Sequence, residues 1–422
     1  MKKRELLYWI WLSQALGCGG GLESLMEVYS SPYGVYSADK IDPSLLSRVS
    51  KSTLTALSKK DLSTASLILD QCERGGIGIL TYWDEAYPDT LRAIFDPPAV
   101  LYYKGRLPDM NQKMCVGMVG KRLMSEYGRD AAYKIAYGLA GAGAVVVSGM
   151  AEGIDGVCAA AAIAAKGETV AFLGNGVDIV YPKKHKALYE EICRHGAVIS
   201  EYPPTTKPLG YHFPTRNRLI SGASQLTAVV ESGARSGSLI TAKKAIAQGR
   251  SVYALLTTAT EDAAVGAQLL LEAGAKPLIG AGRLLSDFIH IYPKTVDIRG
   301  GVCETADTDL QLLSHLGVIP SEDGKPSTAS KHGATGATAA SKPHSLEKYH
   351  EAEQKPMLTE EALGAMSPTE AAMMRLFLAE KEIPAERFYT LPYEVHEISM
   401  ALTCLEIAGK VKRTAGSLYE LC

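Results

Sequence analysis

The chain has 422 residues, 46% of them hydrophobic, and a formal charge of −2 at pH 7. That length exceeds one ordinary core and predicts several domains, each large enough to fold alone. No run of about 18 apolar residues appears, and an amino terminus holding Glu5 and Gln14 lacks a signal-peptide pattern, so a cytoplasmic protein without a membrane partner is expected. The eight cysteines are scattered, with no CxxC or CxxH pair, which argues against a zinc site or a disulfide framework and for small buried side chains. Between Cys115 and His290 there are 18 Lys and Arg against 14 Asp and Glu, while the rest of the chain is acidic. A basic middle points to an anionic partner for that middle.

Residues 1–75 carry helical periodicity: Leu6, Leu7, Trp9, Ile10 and Leu12, then the turn Gly17-Cys18-Gly19-Gly20-Gly21, then Leu22, Leu25 and Met26. A helical domain is expected there, its glycine turn either offering N–H groups to a phosphate, as in helix-hairpin-helix modules, or serving as a structural cap. Residues 76–113 read as a connector with two short strands around Asp96-Pro97-Pro98. From Met114 to about residue 299, apolar strands alternate with helices: strands at Cys115–Val119, Ala144–Val147, Thr169–Leu173, Ala197–Ser200, Leu226–Val230 and Ser251–Leu255. Strands that are apolar throughout need helices on both sheet faces, which predicts a Rossmann-like, doubly wound, mostly parallel α/β sheet. Residues 300–364 have the composition of a flexible linker. Residues 365–422 predict a small winged-helix-like domain: a helix from Pro368, a second over Val395–Ile407, and two strands around Gly416. Its contact with duplex DNA or with protein stays open.

In a doubly wound sheet the ligand sits beyond the carboxyl ends of the strands, so the loops there hold the candidate site. Gly120-Lys121-Arg122 follows the first strand, and Ser148-Gly149-Met150-Ala151-Glu152-Gly153-Ile154-Asp155 follows the second. Gly174-Asn175-Gly176 follows the third and runs into Tyr181-Pro182-Lys183. Glycines there admit a close ligand backbone, and cations hold phosphate. His212-Phe213-Pro214-Thr215-Arg216-Asn217-Arg218 sets a ring and two guanidiniums within seven residues, the means to stack a base and pair with phosphates. Arg235, Ser236, Gly237, Ser238 and Thr241 lead into another helix and suit an anion. There is no GxxxxGK[ST] loop and no GxGxxG fingerprint, which disfavours an ATPase or a dinucleotide dehydrogenase. No nucleophile–base pair or carboxylate pair specifies catalysis, and no cofactor is expected.

The strings SGMAEGID, LGNGVDIVYP, ISEYPP, HFPTRNRLISG and ESGARSGSLITA, in this order, resemble the DNA-processing protein A family (DprA, also called Smf). The resemblance implies a non-enzymatic, dimeric protein that binds single-stranded DNA and protects it during natural transformation. It also implies delivery of that DNA to the RecA recombinase against the single-strand-binding protein. Carried over, the family's Gly-Ser-Arg motif falls on Gly120, Lys121 and Arg122; its DNA-contacting lysine falls on Lys183; and its HFPxRNR element falls on Phe213, Arg216 and Arg218. Two departures stand out: the family's Ala-Arg-Gly-Ile-Asp reads Ala151-Glu152-Gly153-Ile154-Asp155, and its Pro-Gly and Gly-Thr-Asn elements after Leu255 are missing. The alternative is a nucleotide-binding enzyme that hydrolyses a nucleoside monophosphate, with the phosphate on Ser236–Thr241 and Glu231 acting on the glycosidic bond.

Overall fold

The computed structural model describes residues 3–233, 236–256, 262–297 and 306–320, then residues 368–379, 382–388 and scattered positions between 390 and 421. It divides into two compact units, Met1–Pro326 and Ser327–Cys422.

The first unit is built on a nine-stranded sheet. Its strands are β1 (Gly78–Thr81), β2 (Val100–Gly105), β3 (Cys115–Val119), β4 (Val145–Ser148), β5 (Thr169–Phe172), β6 (Gly196–Ser200), β7 (Leu226–Val229), β8 (Ser251–Leu255) and β9 (Lys276–Leu278), in the order β1-β2-β6-β5-β4-β3-β7-β8-β9. From β6 to β9 every neighbour is parallel, with Gly117 opposite both Val147 and Thr227. Alternate side chains of each strand enter different cores, as the pleat requires. Val116, Val146 and Ala171 join one cluster with helices α7 (Glu126–Gly141), α8 (Ile154–Ala164) and α9 (Lys186–His195). Val145, Val147 and Val170 join the other with α10 (His212–Gly222), α11 (Gly237–Ala247) and α12 (Asp262–Glu272). Helices on both faces explain why β3 to β7 are buried along their whole length.

The fold is the Rossmann-like α/β architecture that the alternating pattern predicts, preceded by five α-helices (α1–α5) over residues 3–75, with a short α6 (Asp89–Arg92) between β1 and β2. Three boundaries differ from the sequence reading. The connector is part of the sheet: β1 pairs antiparallel with β2, and β2 pairs antiparallel with β6. The amino-terminal helices share the main core, because Trp9, Ile10 and Leu12 lie in the same buried cluster as Tyr102 and Val116. Cys18, in the glycine turn, reaches Glu201 and Tyr202, and burial pushes its thiol up to about 11. The turn is therefore spent on packing, the cap alternative.

The third difference concerns the linker. Residues 306–320 include a helix, Leu310–His315, and Leu313, Leu316 and Val318 are buried in the main core. Their apolar spacing is short and surrounded by polar sequence, so composition hides it.

In the second unit, a helix Pro368–Ala379 precedes β10 (Glu382–Pro384), β11 (Val411–Thr414) and β12 (Leu418–Leu421), which form a three-stranded antiparallel sheet. Met373, Phe377, Phe388 and Tyr419 pack together there. The helix expected over Val395–Ile407 lies almost wholly outside the described residues.

Candidate nucleic-acid interface

The chain runs β3, β4, β5, β6 in one direction across the sheet and then returns to place β7 on the other side of β3. Such a reversal splays the loops after the two adjacent strands and opens a crevice beyond their carboxyl ends. A cleft of about 880 Å³ occupies that place, lined by the Gly120–Leu123 loop, Asp155, Tyr181, α10 and the start of α11.

The loop after β3 is held by the loop after β4. Gly153 has φ +79°, and a Cβ there would stand 2.3 Å from the Lys121 carbonyl oxygen. Ile154 donates its N–H to that same oxygen at 3.1 Å. Interlocked in this way, the turn leaves Arg122 exposed and Lys121 half-buried at the cleft wall. The start of α7 behind it is not open to a ligand: the Ser125 hydroxyl accepts from Gly128 at 2.9 Å, and the Glu231 carboxylate accepts from the Ser125 N–H at 3.0 Å. The N–H groups of Ser125 and Gly128 are thus already taken, which leaves the side chains of this turn as the groups that face the cleft.

Helix α10 sorts the HFPTRNR string by its 3.6-residue period. Phe213, Arg216, Asn217 and Ile220 share the face that lines the cleft. Phe213 rests on Gly174, and its ring centroid lies 5.5 Å from that of Tyr181, which is exposed. Arg216 points inward, donating to the carbonyl oxygen of Gly149 at 2.8 Å and to that of Phe172. A Cβ at position 149 would stand 2.5 Å from the guanidinium, so any larger residue there would have to displace Arg216. Burial lowers the Arg216 pKa to about 10 against the opposing pull of Asp155. Burial likewise raises the Asp155 carboxyl, against Arg216 and the N–H groups of Ala151 and Gly149. The two charges compensate each other at the cleft floor.

Arg218 requires a correction. It is buried on the opposite side of α10, paired with Glu201 and, at 3.2 Å, with Asp96. It is no part of the cleft lining, because a position two residues from Arg216 is rotated by about 200° on a helix. His212 also packs inside, its Nδ1 2.9 Å from the Gly174 carbonyl oxygen and its ring stacked on Tyr202. Gly174 and Gly176 are covered by the protein itself: Phe213 and His212 lie over the first, Pro203 and Thr205 over the second. Those glycines admit a neighbouring chain segment, not a nucleic-acid backbone.

The remaining candidates divide. Lys183 is exposed beside Tyr181, outside the residues lining the cleft. Its neighbour Lys184 pairs with Glu152 at 3.0 Å, so the carboxylate that departs from the family pattern is matched by a cation of this chain. Asn217, Ser236, Gly237, Ser238 and Thr241 all line the cleft. The hydroxyls of Ser236, Ser238 and Ser232 form a chain with steps of 2.7 and 2.9 Å. Arg235 lies outside the described residues. Tyr181 is the residue that sequence reasoning passed over; its signal was an aromatic directly before the Pro-Lys pair. Glu231, the acid of the hydrolase alternative, caps α7 and does not line the cleft.

Fold and site together define a class: a Rossmann-like α/β protein with a cation-edged, aromatic-walled cleft at the switch point of its sheet. The chain belongs to the family described as DNA recombination-mediator protein A, which it matches over residues 78–289. It is 39% identical over 206 residues to the DNA processing protein DprA of Bacillus subtilis, covering 49% of this chain and 69% of that one. To the protein Smf of Synechocystis it is 33% identical over 293 residues, covering 68% and 73%. The crystal structure of DNA processing protein A from Streptococcus pneumoniae superposes with a TM-score of 0.56 at 30% identity, over 67% of this chain and 97% of that one. The family expected from the ordered motifs is therefore the family found.

Proposed function

We propose that this protein binds single-stranded DNA along the cleft by contact rather than by turnover. Lys121, Arg122 and Lys183 meet phosphates, and the Phe213–Tyr181 pair stacks bases. The observation that carries the reading is that the exposed Arg122 and the Phe213–Tyr181 ring pair line one open cleft. A strand with unpaired bases needs both partners, whereas a duplex hides its base faces. Gly120, Asn217, Ser236, Gly237, Ser238 and Thr241 complete the wall, and Arg216 shapes it from beneath. Family membership supports the wider role: protection of incoming strands, delivery to a RecA-type recombinase against single-strand-binding protein, and work as a homodimer in natural transformation.

Fluorescence anisotropy with a labelled oligothymidine of about 30 nucleotides and its matching duplex, across a salt series, tests the reading. With three phosphates neutralised, log affinity for the single strand should fall with log salt at a slope of roughly −2. No binding at low salt, or a preference for the duplex, overturns it. Recombinase delivery is tested separately by the rate at which a RecA-type recombinase coats a strand already covered by single-strand-binding protein. Adding this protein should shorten the lag, and an unchanged lag removes that part of the role.

A further inference from the structure

Beside the main cleft lies a second recess of about 170 Å³, lined by Arg122, Gly149, Glu152, Tyr181, Phe213 and Arg216 among others. It is small enough to hold one flat ring rather than a whole nucleotide. Phe213 and Tyr181, packed on each other, give it an aromatic side, and the exposed Arg122 and Glu152 line it as well, the Oε2 of Glu152 standing 3.0 Å from Lys184 Nζ. A carboxylate accepts hydrogen bonds and donates none.

We infer that this recess is a base subsite that selects a base bearing an exocyclic amino group, with Glu152 as the residue that reads it. The inference rests on the single-strand reading above. In a single strand the Watson–Crick edge of a stacked base is free, and that edge differs sharply among the bases. Cytosine and adenine present an amino donor, and guanine presents two adjacent N–H donors. Thymine presents two carbonyl oxygens flanking one N–H, so a carboxylate that faces its edge meets a like-signed oxygen. Acidic side chains accept from cytosine N4 in duplex readout for the same reason. Phe213 and Tyr181 supply stacking that every base shares, and Glu152 supplies the difference between bases.

The test compares the full chain binding to oligodeoxycytidine and oligodeoxythymidine of equal length, at a pH where cytosine is neutral. Wild type should favour the cytidine strand by about tenfold, the lower part of the discrimination expected of a good base contact. The isosteric variant Glu152→Gln brings an amide N–H to thymine oxygen and should reduce the ratio to within about twofold. Lys184→Ala, which keeps the carboxylate, should retain the preference. Equal wild-type affinities, or a preference unchanged in Glu152→Gln, overturn the base subsite while leaving the single-strand reading in place. Failure to bind either oligonucleotide overturns both.

Discussion

Two loops of this protein begin alike and end differently. After β3 and after β5 the chain leaves the sheet through a glycine-bearing turn, yet the first turn walls an open cleft and the second is sealed by α10 and by Pro203–Thr205. The difference is their distance from the switch point. β3 borders it, while β5 lies two strands away, where α10 comes back across the strand ends. Helix α10 is the partition between the two regions: Arg216 and Asn217 border the open side, and His212 and Arg218 lock the closed one. A glycine loop after a parallel strand is thus a sign of close approach, and the sheet order decides whether ligand or protein approaches.

Substitutions should separate the two sides. The largest effect is expected on the closed side: Arg218→Ala strands the Glu201 carboxylate, whose pKa burial already raises against the pull of Arg218. Breaking such a pair destabilises by about 3–5 kcal/mol, visible in urea unfolding, and the salt slope of the protein that still folds should not change. Gly153→Ala comes next, with about 3 kcal/mol lost to a left-handed φ and a clash with the Lys121 carbonyl. Because the clash displaces the Arg122 turn, single-strand affinity should fall with stability, and unchanged affinity would show that the turn is not held by its neighbour.

On the open side, Arg122→Ala should lower the salt slope by roughly 0.7 and leave stability within about 0.5 kcal/mol. A loss of stability without a change in slope would move Arg122 into the structural group. The smallest effect is a pH dependence. His185 is buried beside the Met150 carbonyl oxygen, and burial lowers its pKa from 6.5. The unfolded chain then binds a proton that the folded one refuses, so stability should decline as pH falls from about 7 to 6. His185→Gln should flatten that part of the stability profile.

The sheet was legible because a two-sided parallel strand is apolar at nearly every position, as Val145–Val147 and the residues from Val170 to Phe172 are. β1 and β2 read as two short strands of a connector and not as part of the main sheet, because antiparallel strands such as Gly78–Thr81 lack that uniform texture. In the site, the Gly120–Arg122 turn and the ring and cations of His212–Arg218 were readable from the motif order, but not that this string forms helix α10. Which arginine of the pair faces outward was not, since helical phase fixes relative direction and the absolute direction depends on where Glu201 and Asp96 lie in space. The Glu152–Lys184 pair was likewise hidden, its members being 32 residues apart and joined only when β4 and β5 align.

One feature of the sheet also bears on how the protein is made. β2 finds its inner partner in β6, with Tyr102 opposite Ser200 and Gly105 opposite Ala197, and about ninety residues separate the two strands. At ordinary rates of translation the ribosome needs on the order of ten seconds to supply that partner. During that interval Val100, Leu101 and Tyr102, all fully buried in the finished protein, emerge as an apolar strand with one edge unclaimed. A nascent chain stalled before Gly196 is accordingly a species that other extended chains would join, and synthesis past β6 is what ends that exposure.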